Sequence, residues 1–263
     1  MKIFIIFSLI LSSTLYAQVD SLRSQYEVIY SVKFLSDTLN KNSAREENLS
    51  LLIKDQQSLF RSTKKAYSDS IAMDIGKKAW DRPIDGRIIL NMKNVPLVYF
   101  KSEVFYNDRQ QIIYKDLMGT RLSYPLHDII QWKIETETKV IESYLCKKAT
   151  GKYNNRNYVA WFTQEVPIPD GPYVFKGLPG LILEVYDTRD YYHFSMQSIT
   201  QTTKPMLPMK DVFATVYSNF LKARKNILDN PVGALSRQTG YNIKPEDALR
   251  INENIRRANN YID

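Results

Sequence analysis

Tyr26, Val28, Tyr30, Val32 and Phe34 alternate with Glu27, Ser31 and Lys33, a period of two that predicts a half-buried strand. The polar stretch 36–48 predicts a loop. Apolar runs 49–53 and 58–62 flank Lys54-Asp55-Gln56-Gln57 and predict a hairpin. Residues 63–83 are basic and irregular in pattern, with a short helix expected over 70–75. Segments 88–92, 98–106 and 111–117 predict further strands, with a turn over 107–110. Trp132, Ile134, Thr136 and Thr138 alternate with Lys133, Glu135, Glu137 and Lys139, whose charges are expected to face water. Segments 144–153 and 156–163 flank Asn154-Asn155, and Asn tolerates the positive φ that a two-residue hairpin turn requires.

The pattern changes after Met206. Val212, Phe213, Val216, Tyr217, Phe220, Leu221, Ile227 and Leu228 recur at helical spacing, with Asp211 as the expected cap and Pro231 past the end. Pro245 opens a second helix with a stripe of Ala248, Ile251, Ile255 and Ala258. The expected fold is mainly β of the α+β kind: a single curved antiparallel sheet, half-barrel-like, with two C-terminal helices. Three segments are expected: a signal peptide over 1–17, an antiparallel β domain over 18–204, and a helical extension over 205–263 packed on it.

Met1-Lys2, the apolar run from Ile3 to Leu11 and the small residue Ala17 have the layout of a secretory signal peptide. The run is shorter than the roughly 20 residues needed to cross a bilayer. The nearest cysteine is Cys146, so lipidation at the cleavage site is not expected, and no later stretch reads as a transmembrane span. The expected location is therefore the periplasm or the outer-membrane periphery. The 263 residues include 36 Lys or Arg against 28 Asp or Glu, a formal charge of +8. A nucleic-acid partner is not expected outside the cell. A solvated basic surface is the plain reading, and anionic headgroups or outer-membrane sugars are the functional one. One cysteine excludes an internal disulfide and every multi-thiolate zinc site. The two histidines, His127 and His193, leave little room for a metal centre, and neither metal nor cofactor is expected.

One segment carries more information. Gly177-Leu178-Pro179-Gly180-Leu181-Ile182 resembles the signature of the GLPGLI family of exported proteins from Bacteroidetes-type bacteria. The flanking residues 157–163, Glu165-Val166-Pro167-Ile168, Gly171-Pro172-Tyr173 and Cys146-Lys147-Lys148-Ala149 resemble the family as well. The resemblance runs from about Trp132 to Phe194. It departs at Asn155, where a turn glycine is common, and at Val174, where lysine is common. It implies a signal-peptide-bearing protein without an established activity, associated with energy-coupled outer-membrane receptors, and it carries no catalytic residues across. Physically, Pro179 fixes φ and lacks a ladder donor, while Gly177 and Gly180 accept positive φ or close backbone approach. The hexamer predicts a sharp corner before a strand rather than a phosphate-cradling loop, which would want a following helix. Gly180 is expected to be its most substitution-sensitive residue, and Lys176 is expected to tolerate truncation.

Asp187-Thr188-Arg189-Asp190 predicts a four-residue turn that sets Glu184 opposite His193 and Tyr186 opposite Tyr191. That register puts Leu181, Leu183, Val185, Tyr192, Phe194 and Met196 on one face. Ile182, Glu184, Tyr186, Tyr191, His193 and Ser195 take the other. Glu184, His193, Tyr186 and Tyr191 are thus the ligand-facing candidates, with a satisfied ion pair as the plain reading. Cys146 reads as a structural thiol in a strand, and Met206 and Met209 as a loop packed on the core. The functional expectation is a non-enzymatic envelope protein that serves an outer-membrane (TonB-dependent) transport system or binds a small apolar ligand. The alternative is an envelope hydrolase built around Glu184 and His193.

Overall fold

The computed structural model describes residues 22–82, 89–107, 109–240 and 242–262. The expected signal peptide, and Ile88 of the strand expected over 88–92, lie outside the described residues. Twelve described strands form one open sheet: β1 (Tyr26–Leu35), β2 (Ala44–Lys54), β3 (Gln57–Ser62), β4 (Glu103–Asn107), β5 (Gln111–Leu117), β6 (Thr120–Pro125), β7 (Lys133–Ile141), β8 (Tyr144–Tyr153), β9 (Arg156–Thr163), β10 (Leu181–Asp187), β11 (Tyr192–Gln201) and β12 (Phe213–Ala214). Their order across the sheet is β12-β6-β5-β4-β3-β2-β1-β11-β10-β9-β8-β7. All neighbours are antiparallel except the short parallel pair β12 and β6. Four helices accompany the sheet: α1 (Lys65–Asp81), α2 (Tyr217–Asp229), α3 (Pro231–Thr239) and α4 (Pro245–Arg257). The mainly β, antiparallel architecture is thus the one the alternation pattern implies.

The alternation decides which face is buried. Val28, Tyr30 and Val32 of β1, Leu49 and Leu51 of β2, Leu183 and Val185 of β10 and Phe194 of β11 all lie in the core. Each such side chain contributes on the order of 1.5–3 kcal/mol by burial. The chain itself covers this face. Between β9 and β10 the segment 164–180 lies across it and buries Tyr173, Val174, Phe175 and Leu178. Phe175 is the hub, with ring centroids at 4.7 Å from Tyr158, 5.9 Å from Phe194 and 6.4 Å from Trp132. These separations fall within the preferred range for offset and edge-to-face aromatic pairs.

Several elements differ from the sequence reading, each for a local reason. β2 begins at Ala44, inside the polar stretch 36–48, because Glu47 is buried and satisfied. Its carboxylate accepts the backbone N–H groups of Tyr99 (2.6 Å) and Phe100 (3.1 Å) and the Ser62 hydroxyl. That diverts donors a strand would have used, so 98–102 is irregular and β4 starts only at Glu103. Residues 89–92 are irregular as well. The helix expected over 70–75 extends over all of α1. β6 was not legible; it follows a tight turn at Met118-Gly119, both at positive φ. The Asn154-Asn155 hairpin has the expected geometry, with φ of 46° and 60°.

The C-terminal region holds three helices where two are expected. Asp211 caps none of them; it takes φ 55°, and Phe213–Ala214 then joins the sheet edge as β12. Asn230 starts α3 by accepting from Gly233 N–H at 2.9 Å, with Pro231 in the first helical turn, so this Pro opens a helix as well as following one. Phe220 of α2 is buried with its ring 4.9 Å from Tyr124 of β6. The chain then returns to the sheet. Arg156 donates to Asn260 Oδ1 at 2.7 Å and to the Tyr261 carbonyl at 2.8 Å.

Candidate ligand-binding cleft

The motif is a pinch. Leu181 is the ladder partner of Thr163, so the loop 164–180 leaves and re-enters the sheet at one place. Gly180 makes this possible. It sits at φ +148°, and a Cβ there would lie 2.0 Å from the Thr163 carbonyl oxygen. Leu181 N–H closes the base by donating to the Val166 carbonyl at 3.1 Å. A bulge between Ile182 and Glu184 reverses the alternation at the start of β10. Ile182 therefore pairs with Phe162 and turns to the core side, not to the polar face the regular alternation implied. The Tyr30 hydroxyl donates to the Ile182 carbonyl at 2.7 Å, and burial, with Asp170 nearby, raises its pKa well above the usual phenol range.

Within the pinched loop, Asp170 and Lys176 form an ion pair, both side chains largely buried. Asp170 also accepts its neighbour Gly171 N–H at 2.7 Å, and the Lys176 ammonium lies 4.6 Å from the centre of the Tyr106 ring. Lys176 is thus held from two sides, and the expectation that its truncation is harmless does not hold for this geometry: it would strand a buried carboxylate.

The pair borders a cleft of about 760 Å³ between the loop and the hairpin tips of β2–β3 and β4–β5. Apolar walls come from Leu126, Ile129, Ile130, Ile168 and Val174, and polar groups from Asp55, Arg109, Gln110 and Gln111. Gln111 donates through Nε2 to the Val174 carbonyl at 3.3 Å, while its buried Oε1 accepts no hydrogen bond among the described residues. The indole N–H of Trp132 donates to the Lys176 carbonyl at 2.8 Å, which places a fluorescent ring behind the cleft wall. Of the hexamer, Gly177 alone lines the cleft; its φ is +93° and the space around it is open. Leu178 and Leu181 are core residues. Nothing in the spacing revealed this site, because its walls come from four segments far apart in sequence.

The ligand-facing candidates lie elsewhere and do not line this cleft. The hairpin β10–β11 is shifted by two residues from the expected register: Tyr186 faces His193 and Glu184 faces Ser195. Asp187 decides the shift. Its buried carboxylate accepts from Arg189, Tyr191 and Tyr192 N–H at 2.9, 3.1 and 2.7 Å, making Thr188 to Tyr191 the turn. A shift of two preserves each residue's face. Glu184 and His193 still meet, diagonally, with His193 Nε2 at 2.8 Å from Glu184 Oε1. The Tyr186 ring lies 5.1 Å from the imidazole. Tyr191, displaced into the turn, lies instead beside the Arg156 guanidinium, at 5.7 Å. The second Glu184 oxygen accepts from Lys139, whose ammonium also lies 4.4 Å from the Trp161 ring. The His193 hydrogen bond, and after it Lys139, hold the Glu184 carboxyl below the usual carboxylate range. Both oxygens are thus occupied, which is an ion-pair network rather than a vacant base.

The remaining groups are structural. Cys146 is buried in β8, and burial pushes its thiol up to about 11. Met206 is buried in a second cluster with Leu52 and Leu59 on the opposite side of the sheet from the main core. No group of three or more His, Cys, Asp or Glu side chains suited to a metal ion occurs among the described residues.

Residues 152–184, which include the hexamer, match the model of a family described as protein of unknown function (Porph_ging). No curated protein matches the chain. Two solved structures of PNGF-II, in space groups P21 and C2, are similar to it at 13% identity, with TM-scores of 0.50 and 0.51. They cover 76% and 77% of this chain but 33% and 32% of their own, so the chain spans about a third of PNGF-II. At this identity the likeness is one of fold.

Proposed function

We propose that the chain is an exported, non-enzymatic envelope protein of the GLPGLI type that binds a small amphipathic ligand in the cleft beside Asp170 and Lys176. The cleft carries this reading: about 760 Å³, mostly apolar, with a few convergent polar groups. Ligand sites have this size and this lining. The core face of the sheet, where a half-barrel would hold an apolar ligand, is filled by Tyr173, Phe175 and Leu178. The ligand reading therefore moves to the cleft at its rim. The titratable pair bordering the cleft neutralises itself, which suits binding better than proton transfer. An outer-membrane receptor is the proposed partner, and the signal-like N-terminus supports a periplasmic location.

The test is titration with 1-anilinonaphthalene-8-sulfonate, an amphipathic aromatic anion, followed by dye emission. One saturable site is expected, and Ile129→Trp, which fills the mouth, should abolish it. Dye binding that ignores this substitution, or no binding, refutes the cleft. N-terminal sequencing of protein from the envelope tests export; a start at Met1 refutes it.

A further inference from the structure

The sheet has two edges, and they are built differently. One ends in the two-residue β12, with α2 following it, and a strand this short offers little to pair with. The other is β7, nine residues or about 30 Å of backbone. It ends the strand order, and among the described residues no backbone hydrogen bond outside its ladder with β8 joins it. Its two faces are distinct. Ile134 is the ladder partner of Ala149 and Thr138 that of Lys147, so the even-numbered positions share the core-facing side. Glu135, Glu137 and Lys139 take the other side, where they meet Thr150, Lys148 and Glu184. The core-facing side is uncovered at this edge. Ile134 is exposed by 48%, Val140 by 68%, and Leu145, the ladder partner of Val140, by 55%. An apolar margin beside a row of unpaired strand backbone is a template for another strand.

The order of residues within β7 selects the occupant. Lys133-Ile134-Glu135-Thr136-Glu137-Thr138-Lys139-Val140-Ile141 is complementary to itself when two copies run antiparallel about Glu137. In this register all nine residues of both copies overlap, and every pair keeps to one face. Ile134 then faces Val140 of the second copy, apolar against apolar, and Thr136 faces Thr138, hydroxyl against hydroxyl. On the other face Glu135 meets Lys139, opposite charges. Each match occurs twice by symmetry. Centring the pair on Thr136 instead would set Lys133 against Lys139 and Glu135 against Glu137, like charges in both cases. The one like-charged pair of the favoured register is Glu137 with itself. There each carboxylate is held by its own Lys148 at 2.8 and 2.9 Å, and a bulge between Ile134 and Thr138 bends the strand.

We propose that β7 is the interface of a two-fold dimer in which the sheet continues from one copy of the chain into a second. It shares no residue with the cleft, so either reading can fail without the other. The experiment is sedimentation velocity of the mature chain over about three decades of concentration. A reversible equilibrium between monomer and dimer is expected. Val140→Lys and Ile134→Glu, each alone, should weaken it at least about tenfold, since each sets a charge against an apolar side chain twice. Combined in one chain they should restore it. The introduced charges meet across the interface, whereas within one chain they are about 20 Å apart. Glu137→Cys should give a disulfide-linked dimer on mild oxidation. Lys133→Cys, about 26 Å from its own copy in this register, should not. All four positions are exposed, and unchanged near-ultraviolet circular dichroism checks that the fold survives. A dimer that ignores Val140→Lys, a double variant no tighter than the single ones, or equal cross-linking at positions 133 and 137 would overturn the proposal. So would a monomer at every concentration, which would leave this edge to a strand of another protein.

Discussion

Replacing Gly180 by alanine adds a single methyl group, and the structure says where it goes. The new carbon would lie 2.0 Å from the Thr163 oxygen and 2.7 Å from its carbonyl carbon. Contacts of this kind are at rest near 3.5 Å, so one backbone must retreat by about 1.5 Å. Neither can do so cheaply. Thr163 is the ladder partner of Leu181, and Leu181 N–H closes the loop on Val166. The positive φ adds about 1–2 kcal/mol for any L side chain. Together these place Gly180→Ala beyond about 4 kcal/mol, the range of the most damaging single substitutions. Gly177→Ala is the control. Its φ is +93° but nothing lies nearer than 4.0 Å, so only the conformational cost of about 1–2 kcal/mol applies. For a chain of this size each kcal/mol moves the melting temperature by about 2–4 °C. Gly177→Ala should lose roughly 2–8 °C, and Gly180→Ala more than about 8 °C or the fold itself. Thermal melting followed by near-ultraviolet circular dichroism measures both. If Gly180→Ala costs no more than Gly177→Ala, the pinch at Thr163 does not exist.

Lys176→Met should destabilise by about 3–5 kcal/mol in denaturant unfolding, since it leaves Asp170 buried without its cation, and Asp170→Asn should restore part of that loss in the double variant. Glu184 has a lowered folded pKa, so its contribution is present above the unfolded carboxylate value of about 4.3 and is lost as pH falls through the folded value. Glu184→Gln should flatten that acid limb of the stability curve; an unchanged limb would mean the contact to His193 and Lys139 does not form in solution. Cys146, buried with its thiol near 11, should resist a thiol-specific reagent at neutral pH until the chain is unfolded. Fast labelling of the native protein would contradict its burial.

Strand identity was written locally. The period of two in β1, the Asn-Asn turn between β8 and β9, and the Gly-Leu-Pro-Gly corner before β10 each depend on residues close in sequence. Side-chain alternation and positive φ are properties of the chain itself, so they could be read before any packing was known. The Glu184–His193 contact was legible for a related reason: a two-residue slip in register keeps both on one face. What the alternation did not show was where a buried carboxylate takes backbone donors. Asp187 set the turn of β10–β11, and Glu47 held 99–100 out of the sheet while drawing 44–48 into it. A carboxylate reads as surface in a sequence; Asp187 takes its three donors from the turn that follows it, whereas Glu47 is tolerable inside only because Tyr99 and Phe100, distant in the chain, are folded against it. The cleft belongs to the same class. Its walls come from hairpin tips around residues 55 and 110, from the connection 126–130 and from the loop 167–177, brought together by the sheet order. No local pattern encodes that meeting, because the pairing of β3 with β4 closes over forty intervening residues, and only the sum of contacts across the sheet offsets the entropy of that closure.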